Sequence, residues 1–269
     1  MPGSNAALSS AGCHTPSMME SRRAVLVTGG SRGIGAAVAR EVAALGDRVA
    51  VHYGSSPDAA RATLASLAGD GHLIVQADLR DPVAVKSMVD ESAAALGGID
   101  VLVNNAGVFF PHPIEACTYE EWQQAWRDTI DINLIGAANA AWCALQHMPR
   151  GGSARIVNVG SRGAFRGEPD SPAYGASKAA LGAFGQSIAK SLGALGVAVT
   201  TLAPGFVDTD MAAASLAGEG GDAIRAQSPF NRVPSAEEVA KAVVFLASPE
   251  AEWASGGILD FNGASYLRM

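Results

Sequence analysis

The run Ala24-Val25-Leu26-Val27-Thr28-Gly29-Gly30-Ser31-Arg32-Gly33-Ile34-Gly35 carries an apolar, β-branched strand straight into a helix through spaced glycines. Val25, Leu26 and Val27 suit a strand covered on both faces. Ile34 opens an Ala- and Val-rich stretch that keeps helical spacing to Leu45. Gly29 permits the sharp turn, Gly33 lets the backbone approach a pyrophosphate, and Gly35 lets helix and strand pack closely. The helix start adds free N–H groups and the positive end of its dipole, which suits an anion. A glycine triplet of this kind also serves as a plain structural turn, so the choice between the two rests on the remaining chain.

Outward from that turn, short β-branched runs alternate with longer Ala-rich segments, the pattern of βαβ units and hence of a parallel sheet. Strands are predicted at 24–28, 48–53, 72–76, 101–104, 154–159 and 197–202, with a last one near 258–261. Helices are predicted at about 34–45, 58–67, 82–96, 118–148, 172–195 and 236–247. Asp81-Pro82 and Ser171-Pro172 each join a capping residue to a proline at the first helical position, and Ser235 precedes Glu238 as in a capping box. The stretch 204–234 reads as a long loop with one short helix, of the length that serves as a lid. The expected fold is α/β: a single Rossmann-like domain over 23–269, a doubly wound parallel sheet of about seven strands with helices on both faces. Residues 1–22, rich in Ser, Ala, Gly and Pro, read as a disordered tail without a secretory h-region; a true start at Met18 or Met19 would look the same.

Composition narrows the function. Apolar residues at 48% and charged residues at 17% supply a large core and argue against disorder over most of the chain. A net charge of -7 without any Lys/Arg cluster argues against nucleic acid as a partner. No apolar run reaches the roughly eighteen residues of a membrane span. Cys13, Cys117 and Cys143 are widely spaced and form no Cys-x-x-Cys pair, which fits a reduced, cytoplasmic setting and ordinary buried or idle thiols. His52, His72, His112 and His147 lack ligand spacing, so no metal site is expected. Trp122, Trp126, Trp142 and Trp253 read as packing or subunit contacts. Partners are then small molecules or further copies of the chain.

Tyr174-Gly175-Ala176-Ser177-Lys178 sets a phenol and an ammonium one helical turn apart, on one face. A nearby lysine charge favours the phenolate and brings the phenol towards acid/base use near neutral pH. Taken alone the pair also fits an ordinary surface Tyr and Lys. The order of motifs removes that ambiguity: Thr28-Gly-x-x-x-Gly-x-Gly35, Asp78-Leu79, Asn104-Asn105-Ala106-Gly107, Asn133, Ser161, Tyr174 to Lys178, and Pro204-Gly205. With these the chain resembles the short-chain dehydrogenase/reductase family from Arg23 to the C-terminus, and is similar to its 3-oxoacyl-carrier-protein reductase and broad ketoreductase branch.

The resemblance implies a catalytic set of Asn133, Ser161, Tyr174 and Lys178. Tyr174 would give a proton to a substrate carbonyl, or take one from an alcohol, while Ser161 steadies the developing alkoxide. Lys178 would hold the nicotinamide ribose and lower the Tyr174 pKa, and Asn133 would anchor a water leading from Lys178 to solvent. Cofactor positions implied are Gly29, Ser31, Arg32, Gly33, Ile34 and Gly35 in the loop, then Tyr53 and Ser55 after the second strand. Asp78 and Leu79 lie at the adenine, Asn105, Ala106 and Gly107 at the adenosine ribose, and Pro204, Gly205, Val207 and Thr209 at the nicotinamide, where Tyr174 and Lys178 also contribute. Asn104 serves the sheet. NADP(H) is the expected cofactor, with NAD(H) as the alternative, because Tyr53 stands where NAD-preferring relatives carry an acid and Arg32 adds a positive charge. A homotetramer is implied through the Tyr174 helix, with Ala176, Ala179, Ala180 and Ala183 facing outward, and through the C-terminal strand. An NAD(P)-dependent alcohol or sugar dehydrogenase, and a dinucleotide-binding regulator without catalysis, are the competing readings.

Overall fold

The computed structural model describes residues 22–268. Strands β1 (Ala24–Val27), β2 (Arg48–Tyr53), β3 (Leu73–Gln76), β4 (Val101–Asn104), β5 (Ala154–Val159), β6 (Val197–Pro204) and β7 (Ile258–Phe261) form one sheet in the order β3-β2-β1-β4-β5-β6-β7. Every neighbouring pair runs parallel, for example Leu26 beside Ala50 on one side and beside Leu102 on the other. β1, β4, β5 and β6 have no solvent-facing residue. That fits their mostly apolar sequences, because helices cover both faces.

The helices are α1 (Gly33–Ala44), α2 (Pro57–Ala65), α3 (Pro82–Leu96), α4 (Tyr119–Ile130), α5 (Ala137–Leu145), α6 (Gly163–Arg166), α7 (Pro172–Leu192), α8 (Asp210–Ala217), α9 (Gly221–Ala226) and α10 (Ala236–Leu246). On one face Val85 and Met88 of α3, Ala140 and Ala144 of α5, and Ala189 and Leu192 of α7 pack on Leu26, Leu102 and Ile156. On the other, Val38 and Val42 of α1 meet Val239 and Val243 of α10 over Val25, Val103 and Val157. Strand order reverses direction between β1 and β4, so the C-terminal ends of these two strands border the crevice in which open α/β sheets bind ligands.

Three expectations need correction. The helix predicted over 118–148 is interrupted by a π-helical segment at Asp131–Gly136. One extra residue per turn lets Gly136 lie against Leu79, where a Cβ would stand 2.8 Å from the Leu79 carbonyl oxygen. The stretch 204–234 contains two helices, α8 and α9, rather than one. Ser171 does not cap α7: its hydroxyl donates to the Phe110 carbonyl oxygen at 2.9 Å. By contrast, Asp81 accepts from the Val83 and Ala84 N–H groups, and Ser235 with Glu238 forms the expected capping box. The tail expected at residues 1–22 lies outside the described residues except for Arg22, whose guanidinium pairs with Asp70 at 2.6 Å and bonds to the Gly46 carbonyl.

Candidate active site

The glycine loop is shaped by contacts that exclude side chains. Gly29 has φ +63 and Gly33 has φ +53, both in the left-handed region. A Cβ on Gly35 would stand 2.3 Å from the Gly29 carbonyl oxygen and 2.5 Å from Asn105 Nδ2, so the helix crosses the turn at backbone contact. Asn105 Nδ2 donates to the carbonyls of Thr28 and Gly29, and the Thr28 hydroxyl accepts from the N–H groups of Asn105 and Ala106. Loops β1–α1 and β4–α4 are thereby tied into one wall. Arg32 occupies the capping position of α1 in extended geometry without a side-chain cap, which leaves the first-turn N–H groups for an anion. Beside it lies a cleft of about 510 Å³ bordered by Ser31, Arg32, Gly33, Thr63, Thr209 and Glu237. Arg32 and Ser55 are exposed and Tyr53 and Ile34 half-buried, so side chains at the end of β2 and in the loop reach solvent.

Of the other positions that the resemblance assigns to the cofactor, Thr209 borders this cleft, and the rest outside α7 lie at or just after the ends of β3, β4 and β6. The Asp78 carboxylate is gripped by Arg80, which holds its pKa below the usual carboxylate range. Leu79 is buried under Gly136. Gly107 faces both Asn133 Oδ1 and Lys178 Nζ, each 3.3 Å from where a Cβ would stand. β6 ends at Pro204, Gly205 lies against Asn262, Val207 is buried, and the Thr209 methyl lies 3.4 Å from where a Gly33 Cβ would stand.

Tyr174 and Lys178 share one face of α7, and Ser161 follows the C-terminal end of β5. Lys178 Nζ donates to the Val159 carbonyl at 2.8 Å and lies 5.8 Å from the Tyr174 ring centre. The Gly163 N–H donates to Ser161 Oγ at 3.0 Å, and Phe109 meets the Tyr174 ring edge-on at 5.1 Å. Asn133 sits inside the π-helical segment. Its Oδ1 accepts from the Val108 N–H at 2.8 Å, while Nδ2 donates to the Val108 carbonyl at 3.0 Å and to Ser177 Oγ at 3.1 Å. Those contacts take up its amide hydrogens, so the side chain braces the loop after β4.

Comparison with known proteins gives the same picture. The family model described as Enoyl-(Acyl carrier protein) reductase matches residues 29–263. The chain belongs to the short-chain dehydrogenase/reductase family. It is an oxidoreductase of this family, whose members act on CH–OH groups with NAD(P). It is 35% identical over 242 residues to 3-oxoacyl-[acyl-carrier-protein] reductase FabG of Escherichia coli (strain K12), covering 90% of this chain and 96% of that one. It is 38% identical over 243 residues to the cis-4-hydroxycyclohexanecarboxylate dehydrogenase of Sinomonas cyclohexanicum, covering 90% and 95%. A short-chain dehydrogenase from Burkholderia cenocepacia J2315, solved in complex with NADP, superposes with TM-score 0.81 at 37% identity, covering 90% of this chain and 97% of that one. A blue fluorescent protein from a metagenomic library, solved with NADPH, gives 0.82 at 35% identity, covering 91% and 98%. Among the described residues no helix is long and apolar enough to cross a membrane.

Sequence reasoning for a short-chain dehydrogenase/reductase overlooked two groups at this site. His52 was set aside as scattered, yet its Nδ1 accepts the Gly29 N–H at 3.0 Å and its other nitrogen meets the Ala77 carbonyl at 3.1 Å. An amide can only donate, so Nδ1 carries no proton, and burial pushes the ring pKa down. Arg162, next to Ser161, is buried and joins Ser265 to Gln227 while standing 5.3 Å over the Phe206 ring. Burial, with Arg166 nearby, brings it down to about 10. The one sequence signal was position, since Arg162 directly follows the strand-end serine.

Burial dominates the electrostatics of both α7 side chains. Desolvation is the largest influence on the Tyr174 phenol and pushes its pKa up, against a weaker opposing hydrogen bond from Ser161. Burial brings Lys178 itself down to about 8 from 10.5. The unfolded chain therefore binds this proton more tightly than the folded one, so a charged Lys178 costs stability below pH 8, and the cost is relieved as pH rises from 8 to 10.5. Without added cofactor, Lys178→Met is expected to raise stability at pH 7 by on the order of 1–2 kcal/mol, after the lost bond to Val159 is deducted. Urea unfolding of parent and variant across pH 7 to 10.5 reads this; an advantage that grows with pH would contradict the sign.

Proposed function

We propose that the protein is an NADPH-dependent carbonyl reductase in which Tyr174 is the general acid. The observation that carries this reading is the convergence of Ser161, Tyr174 and Lys178 at the C-terminal end of β5, on the same edge of the sheet as the uncapped N-terminus of α1. When bound, the nicotinamide supplies the hydride. The first-turn N–H groups of α1, with Gly29 and Gly33 in left-handed conformations, would hold the pyrophosphate. Lys178 keeps two N–H hydrogens beyond the one given to Val159, suited to ribose hydroxyls. Ser161 donates to the substrate oxygen as charge gathers on it, and Tyr174 delivers the proton.

Desolvation raises the Tyr174 pKa, so the phenol holds the proton that reduction of a carbonyl requires. The relative named as a cis-4-hydroxycyclohexanecarboxylate dehydrogenase supports a second reading, oxidation of a secondary alcohol by the same residues. Tyr174→Phe is expected to lower kcat about 10²- to 10⁴-fold while leaving NADPH affinity nearly intact. Stopped-flow hydride transfer and fluorescence titration measure the two, and near-parental turnover would remove Tyr174 from its role.

Preference for NADPH is supported by the absence of a carboxylate at Tyr53 and by the exposed Arg32, whose guanidinium suits a 2′-phosphate. Two structural relatives were solved with NADP or NADPH. The kcat/KM ratio for NADPH over NADH should exceed one in the parent and drop at least about tenfold in Arg32→Ala. An unchanged ratio would move the phosphate site elsewhere.

The Ala176, Ala179 and Ala183 methyls are exposed on α7, a small-residue stripe that suits a two-fold contact in a homotetramer, and Trp142 is exposed on α5. Light scattering at micromolar concentration should give four times the chain mass; a monomer would refute the assembly. A cytoplasmic location fits the free thiols of Cys117 and Cys143.

A further inference from the structure

Helix α7 carries both Tyr174 and Lys178, yet it begins without the usual cap. Pro172 at its first position has no N–H to satisfy. Tyr174 N–H already bonds to the Ser171 carbonyl at 3.0 Å, and the Ser171 hydroxyl points to Phe110. The remaining first-turn donor is the N–H of Ala173, a fully buried residue directly before Tyr174. It is the donor that a capping side chain ordinarily takes, and left alone in the interior it would be costly.

Its acceptor comes from elsewhere in the chain. His112 Nε2 stands 3.2 Å from the Ala173 nitrogen, 61 residues back in sequence. Since the amide donates, Nε2 is unprotonated and the ring proton sits on Nδ1, where it is given to the Phe110 carbonyl at 2.6 Å. The same carbonyl receives the Ser171 hydroxyl, and the His112 N–H donates to the Asp170 carbonyl at 2.7 Å. Trp122 of α4 meets the imidazole edge-on at 5.5 Å, and only 1% of His112 reaches solvent. The neighbouring residue Phe109 rests on the Tyr174 ring, and Val108 is clamped by Asn133. Loop 108–112 is thus anchored at one end on the π-helical segment and at the other on the start of α7.

We infer that His112 is a positioning residue for Tyr174: its neutral imidazole replaces Ser171 as the cap of α7 and holds the backbone one residue before the phenol. It acts only through Ala173 and does not touch substrate. The inference rests on the role proposed for Tyr174, but the cap itself can be read without turnover.

Three variants separate the two ring nitrogens. His112→Gln keeps an acceptor near Nε2, His112→Asn keeps a donor near Nδ1 alone, and His112→Phe keeps neither. Loss of the acceptor is expected to lower kcat roughly 10- to 100-fold in the Phe and Asn variants, with KM for NADPH unchanged, and Gln is expected to bring kcat back to within about threefold. Hydrogen exchange at the Ala173 amide, followed by mass spectrometry on peptides spanning 171–178, should be faster in Phe and Asn than in parent and Gln. Parental kcat in His112→Phe, or equal losses in Gln and Phe, would overturn the inference. So would a rise in KM for NADPH with faster exchange across the whole sheet, which would mark a general support of the fold. If the parent reduces no ketone or acyl thioester, the reductase reading fails instead, and exchange at Ala173 still decides whether His112 is the cap.

Discussion

Backbone meets backbone where α1 passes over the end of β1. Gly35 comes so close to the Gly29 carbonyl that a single methyl would collide with it, and Asn105 fills the remaining space with two donated hydrogen bonds. That contact sets the distance between the first helix and the centre of the sheet. It also brings the loop after β4 against the loop after β1, and through Val108 the loop reaches Asn133 and the start of α7. The glycine loop and helix α7 belong to different βαβ units, and their separation is fixed by this chain of short polar contacts, with the two apolar layers above and below the sheet holding the strands themselves.

Much of this was legible in the sequence because the relevant physics is local. The strands are apolar on both faces, the caps at Asp81 and Ser235 depend on neighbours two or three residues away, and the glycine loop declares itself by spacing. What escaped involves partners far apart in the chain. Ser171 looked like a cap by every local rule, and its hydroxyl is drawn instead to Phe110, a choice made by tertiary packing. The roles of His52 at Gly29 and His112 at Ala173 have no sequence signature, since an isolated histidine looks the same whether it braces a loop or idles on a surface. Helices α8 and α9 were hidden by the glycines and prolines around them.

The site also trades stability for chemistry. Lys178 and Arg162 are buried cations with no carboxylate bonded to them among the described residues, and both are weakened as bases by burial. Lys178 has a carbonyl, Arg162 a hydroxyl, an amide oxygen and an aromatic ring, so each is satisfied by dipoles rather than by a counter-ion. Dipoles of this kind stabilise a charge without cancelling it, which preserves a positive potential around Ser161 and Tyr174; under the proposed function that is where a substrate oxygen would gather negative charge.

The π-helical segment has a consequence for how the chain tolerates insertion and deletion. An α-helix turns about 100° per residue, so removing one residue between Asp131 and Gly136 would restore regular winding only by rotating one flank against the other. If α4 kept its place, Ala140 and Ala144 would swing away from the sheet; if α5 kept its place, Asn133 would swing away from Val108 and Ser177. The extra residue is held from both sides. Shortening by one is therefore closed to this helix, whereas substitution at its exposed position Ile135 is open.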